Sequence, residues 1–277
     1  MKKNKSKKQG HIIFFSVLLF LILAAFWYFI PVTETIDLDV ENAYGKEVKA
    51  ALITDLHSCY YGKDQKGLLK RIDKENPDIV LLGGDIFDDK QGNDNSEIVC
   101  KALVSKYPCY YVTGNHEFWS ERVDEIKQYL KGIGVHVLAG DTETITIHDI
   151  TLDISGVDDP TRLRKKEWLD QLDAAYQKTD PTHVKILVTH RPEKVETYEK
   201  YDYDIIVAGH AHSGQIRIPF INHGLYSPNQ GFNAKYVNGL YELSNGSKLV
   251  VSRGLAREST PAPRYFNHPE LVILKIH

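Results

Sequence analysis

Seven side chains in this sequence have the chemistry of metal ligands and stand in five short motifs. These are Asp55-Leu56-His57, Gly83-Gly84-Asp85, Gly114-Asn115-His116-Glu117, the isolated His190, and Gly209-His210-Ala211-His212. The donors are Asp55, His57, Asp85, Asn115, His190, His210 and His212, with no thiolate among them. Imidazole and carboxylate suit Zn, Mn or Fe, and one carboxylate can bridge two cations. A single D-x-H pair, or one histidine after an apolar run, is more often a hydrogen-bonded structural feature. Five such elements, each directly after an apolar run, are hard to attribute to packing, because acids and histidines are seldom buried without partners.

The runs that precede the motifs read as strands. Segments 49–54, 79–82, 110–113, 185–189 and 205–208 are apolar and end in glycine or polar residues. Segments 65–74, 96–106, 120–131 and 166–178 carry helical spacing. Runs 144–147 and 151–155 alternate and predict an antiparallel hairpin within 142–156. Segment 241–253, around Asn245-Gly246, predicts another, and 271–276 a last strand. Alternating strand and helix puts the donors at strand ends, where α/β sheets bind ligands. The expected fold class is α/β: two facing mixed β-sheets, a β-sandwich, flanked by α-helices.

Composition excludes several classes. With 19 Gly and 11 Pro in 277 residues the chain is not collagen-like, and with 10% aromatics it is not disordered. Three cysteines are too few for a disulfide scaffold or a four-thiolate zinc site, and the single methionine, Met1, excludes thioether ligation. A net charge of −3 gives no nucleic-acid-binding signature. That average conceals two opposite parts. The first 30 residues carry five lysines (Lys2, Lys3, Lys5, Lys7, Lys8) and no acid, which leaves −8 on the rest. Residues 12–30 have no formal charge and as a helix would extend about 28 Å, close to a bilayer's hydrocarbon thickness. The positive-inside rule then makes 1–11 a basic cytoplasmic tail and 12–30 a single transmembrane anchor in the cell membrane. Residues 31–47 become a linker entering the first strand, and 48–277 an extracytoplasmic catalytic domain. The alternatives for 12–30 are a cleaved signal peptide and a buried core helix. Bulky Phe26, Trp27, Tyr28 and Phe29 stand where a small-residue cleavage site belongs, which favours the uncleaved anchor.

Taken in order, the motifs resemble those of the calcineurin-like metallophosphoesterase superfamily: D-x-H, G-D, G-N-H-[ED], H and G-H-x-H. The anchor, the stretch 209–219 and the ending 252–271 further resemble the membrane-anchored bacterial branch of YkuE- and YaeI-type phosphodiesterases. The resemblance implies the metallophosphoesterase fold and two divalent metal ions, which these ligands allow to be Mn, Zn or Fe. Asp55, His57 and His212 would hold the first ion, Asn115, His190 and His210 the second, and Asp85 would bridge them. Two cations about 3.5–4 Å apart repel; a shared carboxylate and a bridging hydroxide offset this, and the hydroxide attacks phosphorus. In this family pattern His116 is no ligand. It would donate a proton to the leaving oxygen, with Asp88 or Glu117 as the carboxylate that supports its charge.

The implied function is a membrane-anchored, dinuclear phosphohydrolase, foremost a phosphodiesterase acting on a phosphate-ester substrate. Its orientation points to an envelope phosphodiester such as a lipid headgroup or a glycopolymer. A phosphomonoesterase (a protein phosphatase or nucleotidase) and a non-catalytic, metal-stabilised scaffold domain are the alternatives. Other residues carry weaker expectations. Asp158 and Asp159, before Pro160, read as turn-formers. Arg191 reads as either a phosphate contact or a solvated side chain, and Arg217, Arg253 and Arg264 stay outside the site. Tyr60 and Tyr61 would line the entrance, and 220–238 either overhangs the site or is a structural excursion. Cys59 reads as a bland thiol, and pairing of Cys100 with Cys109 stays open.

Overall fold

Unbroken apolar runs such as Ile79-Val80-Leu81-Leu82 form strands covered on both faces, because there is no polar side for water. The computed structural model describes residues 11, 13–16, 18–19, 29–44, 46–217, 224, 226–232, 234–257 and 264–277. In chain order its elements begin with β1 (Val32–Leu38), β2 (Val48–Ile53), α1 (Lys66–Glu75), β3 (Ile79–Gly83), α2 (Asp94–Val104) and β4 (Cys109–Val112). Next come α3 (Asn115–Trp119), α4 (Val123–Ile133), β5 (His136–Val137), β6 (Asp141–Ile147), β7 (Ile150–Gly156) and α5 (Lys165–Tyr176). The last are β8 (Val184–Val188), α6 (Val195–Tyr198), β9 (Ile205–Ala208), β10 (Gly239–Glu242), β11 (Lys248–Val251) and β12 (Glu270–Ile276).

The strands make two mixed six-stranded sheets, ordered β1-β12-β2-β3-β4-β5 and β10-β11-β9-β8-β7-β6. Strand periodicity sorts the side chains into layers. Along β2, Ala50 and Leu52 join the core between the sheets with Leu81, Val112, Ile154, Ile186 and Val207. Ala51 and Ile53 face the other way and pack with Leu68 and Ile72 of α1, Val99 of α2 and Leu130 of α4. On the outer face of the second sheet, Trp168 and Leu172 of α5 and Tyr198 of α6 cover Leu187, Ile206 and Leu249. The four-layer α/β sandwich agrees with the fold class read from the sequence.

Two differences matter. Residues 31–47, expected as a linker, contain β1, which pairs in parallel with β12 from Val32↔Glu270 to Leu38↔Ile276. Its sequence, VTETIDL, buries only Ile36 and Leu38, so it is an edge strand whose partner is supplied by the far end of the chain. The folded domain therefore starts at about residue 32. The other difference is α3, a short helix within the third motif that places Asn115 and His116. Among the described residues no helix is long and apolar enough to cross a membrane. Residues 1–10 and most of the 12–30 segment lie outside the described residues.

Strands β2, β3 and β4 are parallel, and so are β7, β8 and β9. Each motif leaves the C-terminal end of one of these strands, so both sheets deliver donors to one edge.

Candidate metal centre

The loops after β2, β3 and β9 turn sharply enough to need left-handed backbone. Asp55, His57, Asp85, His210 and His212 all have φ between 45° and 64°. Such conformations cost non-glycine residues of order 1 kcal/mol or more each, and they concentrate at functional sites. Space is equally constrained. At Gly84 (φ 88°) a Cβ would lie 2.7 Å from His190 Nδ1, and at Gly114 it would collide with the Asp85 carboxylate. Glycine is required at both positions so that three strand ends can converge.

All seven donors are buried and meet at this edge. Ligand atoms of Asp55, His57 and His212 lie within 4.8 Å of one another, and so do those of Asp85, His190 and His210. Asp85 joins the two groups: its Oδ2 is 3.0 Å from His190 Nε2 and 3.7 Å from His57 Nε2. Asn115 is buried beside them at the start of α3.

Each imidazole has one nitrogen held by the protein. His57 Nδ1 meets Asp88 Oδ2 at 2.9 Å, and His190 Nδ1 donates to the Gly83 carbonyl at 2.9 Å. His210 Nε2 lies 2.8 Å from Asn229 Oδ1 and 2.8 Å from Arg191 Nη1. His212 Nδ1 lies 3.3 Å from Arg264 Nη2. For His57, His190 and His210 the acceptors Asp88, Gly83 O and Asn229 Oδ1 fix one ring nitrogen and present the other, as metal-binding histidines require, whereas the Arg264 guanidinium, a donor only, packs behind His212. The presented atom His57 Nε2 and the Asn115 Oδ1 are buried and have no hydrogen-bond partner, while His190 Nε2 and Asp85 Oδ2 meet only each other, at 3.0 Å. Unpaired buried polar atoms are costly, and they fit a cation that the protein itself does not supply.

The charges agree. Burial disfavours an imidazolium at His190, yet the carboxylates of Asp85 and Asp55 outweigh it and push the group up to about 10. His57 is raised by Asp88, Asp85 and Asp55 in the same contest with burial. Burial, with His190 and Arg191 nearby, drives His210 down to about 3; burial and Arg264 drive His212 well below the usual imidazole range. Burial raises the Asp55 carboxyl, whereas the surrounding imidazoles hold Asp85 well below the usual carboxylate range in spite of burial, so negative charge is concentrated at Asp85, where a divalent cation can replace the balancing protons.

His116 stands at the rim with 19% of its side chain exposed. Its backbone N–H donates to Asp85 Oδ1 at 2.8 Å, and its ring lies 4.3 Å from that of His57 and 4.7 Å from that of Trp119. The carboxylate supporting it is Asp89, with Oδ1 2.6 Å from His116 Nδ1; Asp88 is 3.5 Å away. Neither carboxylate expected from the sequence holds that place. Asp88 is turned to His57. Glu117 is fully buried and accepts backbone N–H bonds from Gly114 (2.7 Å), Asp85 (3.0 Å), Ile86 (2.8 Å) and Phe87 (3.0 Å). Burial and the Asp85 charge push the Glu117 carboxyl up to about 7, against those four donors.

Several other residues sit differently from expectation. Arg191 is buried rather than solvated; it is forked onto Asp159 and bonded to Thr161 Oγ1 at 2.8 Å and Asn229 Oδ1 at 2.6 Å. Asp159 does form a turn, accepting from the Thr161 N–H at 2.8 Å, but it also locks Arg191. Asp158 is bound by Thr113, Lys127 and Gln171. Arg264 is not outside the site: it is buried behind His212, donating to the carbonyls of Ala256 (2.7 Å) and Arg253 (2.8 Å). Arg253 itself pairs with Glu270 and Glu34. Tyr61 is buried with its hydroxyl on Leu255 O at 2.5 Å, which leaves Tyr60 exposed at the mouth. Of 220–238, the described part brings Asn229 into contact with His210. Cys59, Cys100 and Cys109 are buried and form no disulfide, Cys59 Sγ accepting from the Arg257 N–H at 3.2 Å, and burial pushes Cys109 up to about 12. The sequence signal for Asp89 was present, as the second acid of Asp88-Asp89 just past the Gly-Asp motif; Asn229 and Arg264 had none.

Comparison with known proteins gives a consistent picture. Residues 48–214 match the family described as calcineurin-like phosphoesterase. A metallophosphoesterase of Campylobacter jejuni is 29% identical over 89% of this chain, which spans 63% of that relative's length. Phosphodiesterase YaeI of Escherichia coli is 25% identical over 84% of this chain and 78% of its own. A Bos taurus protein named transmembrane protein with metallophosphoesterase domain is 26% identical over 83% of this chain and 54% of its own. Among solved structures, the NAD nucleotidase of Haemophilus influenzae superposes with a TM-score of 0.51 at 16% identity, over 76% of this chain and 46% of its own, a likeness of fold.

Proposed function

The chain belongs to the calcineurin-like phosphoesterase family, and from that premise we propose that it is a membrane-anchored phosphodiesterase working with two divalent metal ions. Asp55, His57 and His212 would hold one ion, Asn115, His190 and His210 the other, with Asp85 between them. The observation that carries this reading is the convergence of buried ligand atoms on Asp85 Oδ2, 3.0 Å from His190 Nε2 and 3.7 Å from His57 Nε2, with His57 Nε2 and the nearby Asn115 Oδ1 lacking any hydrogen-bond partner. Two such ions, when bound, supply Lewis acidity and an activated water for in-line displacement at phosphorus.

The chain's own residues do the rest. Asp88, the Gly83 carbonyl and Asn229 accept from and orient the imidazoles of His57, His190 and His210, and Arg264 packs behind His212. Glu117 ties Gly114 to the Asp85–Phe87 backbone, which keeps the second and third motifs in register. His116, its Nδ1 held by Asp89, protonates the leaving oxygen from the rim. A diester is favoured over a monoester by charge. The arginines at the site are committed inward, Arg191 to Asp159 and Arg264 to backbone carbonyls, while Asp88 and Asp89 flank His116. A monoanionic diester suits that rim better than a dianionic monoester does. The name of the YaeI relative supports the same preference.

Turnover of bis(4-nitrophenyl) phosphate against 4-nitrophenyl phosphate by metal-loaded chain tests the reading. The diester is expected to win in kcat/KM. A monoester preference would make the protein a phosphomonoesterase, and inactivity on both would leave a metal-stabilised binding domain.

A further inference from the structure

The register of the first sheet fixes where the N-terminal segment leaves the domain. Strand β1 runs parallel to β12, with Val32 opposite Glu270, and β12 runs antiparallel to β2, with Val272 opposite Leu52. The start of β1 therefore lies at the edge where β2 ends and Asp55 emerges. Two inter-strand spacings, about 10 Å, separate them. Local contacts agree: the Ile30 carbonyl is 2.9 Å from His268 Nδ1, and Phe29 lies 5.5 Å from the guanidinium of Arg257, which donates to Tyr60 O at 3.0 Å. If 12–30 anchors the chain as proposed, this edge stands next to the bilayer.

The surface there suits such a neighbour. Tyr60 (56% exposed) follows the first motif, and Trp119 (48%) packs at a tilt against His116. Tyr226 (52%) and Phe232 (74%) flank Asn229, which touches His210. Aromatic side chains of this kind favour the membrane–water interface. Along β1, a groove of about 760 Å³ is lined by Lys70, Arg71, Lys74 and the acid Glu75 against Pro31, Val32, Thr33 and Thr35. Arg71 keeps a buried Nε without a hydrogen-bond partner. Cations in that position attract anionic lipid headgroups.

We infer that the catalytic edge faces the membrane surface and that the substrate is a phosphodiester of a lipid headgroup. This rests on the membrane-anchored phosphodiesterase reading above. In the reaction the oxygen of water adds to phosphorus and the P–O bond to the headgroup alcohol breaks. The alcohol leaves with one of water's protons, and the lipid keeps a phosphomonoester.

The test uses full chain in vesicles of phosphatidylcholine and phosphatidylglycerol in equal parts, with a fluorophore on Phe232→Cys or on Tyr44→Cys. Tyr44 is exposed beyond the far end of β1, about 20 Å away, and the native cysteines are buried. Brominated lipid should quench the label at 232 and spare the one at 44. In a second arm, Tyr226→Ser/Phe232→Ser should lower hydrolysis of vesicle-borne phosphatidylglycerol about tenfold, by weakening interfacial seating. Hydrolysis of soluble bis(4-nitrophenyl) phosphate should stay unchanged. Equal quenching at both positions, or an equal loss on both substrates, overturns the inference. Chain that fails to float with vesicles overturns it through the anchor. Chain that floats but hydrolyses neither substrate removes the hydrolase reading, and with it the lipid substrate, while quenching still reports the orientation.

Discussion

Asp89 offers the sharpest test of how His116 works. Its Oδ1 is 2.6 Å from His116 Nδ1, and the two side chains are only 16% and 19% exposed, so the carboxylate fixes the ring at the rim with its other nitrogen free to act. A hydrogen bond to a charged group contributes about 1.5–3 kcal/mol. Asp88 remains 3.5 Å from the same nitrogen in Asp89→Asn, so the loss is about 2 kcal/mol. If the proton reaches the leaving oxygen in the transition state, kcat on a diester that expels an alkyl alcohol falls about 30-fold. On a diester that expels 4-nitrophenolate, which needs no proton, the same substitution costs little. His116→Ala should deepen the contrast, losing about 10²–10⁴-fold on the alkyl substrate. Metal content, read by mass spectrometry, should be retained in both variants. Equal losses on the two leaving groups, or a loss that follows metal release, would refute the proton-donor role.

Other perturbations read the scaffold. Glu117→Gln replaces an acceptor of four backbone N–H groups with an amide that can face only about half of them. Two unsatisfied donors at about 1–3 kcal/mol each should remove about 2–6 kcal/mol in denaturant unfolding, and a change below 1 kcal/mol would contradict the bracing role. Asp159→Ala leaves Arg191 buried without its carboxylate and should cost about 3–5 kcal/mol, seen as a lower unfolding midpoint. Glu34 is pushed from 4.5 up to about 7, first by the hydrogen bond it shares with Glu270, then by burial and the Glu270 charge. Its contribution is therefore fully present below pH 4.5 and is lost as pH rises through about 7. Because the side chain is 41% exposed, Glu34→Gln should gain only about 1 kcal/mol on wild type between pH 5 and pH 8. A gap that does not change with pH would contradict this.

What the sequence disclosed followed from how local each signal is. The apolar runs before the motifs became β2, β3, β4, β8 and β9 within a residue or two, because burial on both faces leaves an unbroken hydrophobic stretch. The hairpin of β6 and β7 was visible in its alternation, and the seven donors were visible because strand ends expose them in order. Strand β1 was hidden, since its partner lies more than 230 residues away and only Ile36 and Leu38 are buried. The residues that hold the imidazoles were harder still. Asn229 and Arg264 reach His210 and His212 through long-range packing, and nothing in their own neighbourhood announces it. Asp88 and Asp89 are adjacent in sequence yet serve different histidines, a division that depends on how the chain turns after Phe87.

The most direct test of a two-metal phosphodiesterase is the metal stoichiometry of the purified full chain, titrated against its turnover of a phosphodiester. About two ions per chain are expected, with turnover abolished by chelation and restored by Mn, Zn or Fe. Asp85→Ala should lose turnover together with bound metal. Turnover that survives exhaustive chelation, or an Asp85→Ala chain as active as wild type, would contradict the central claim.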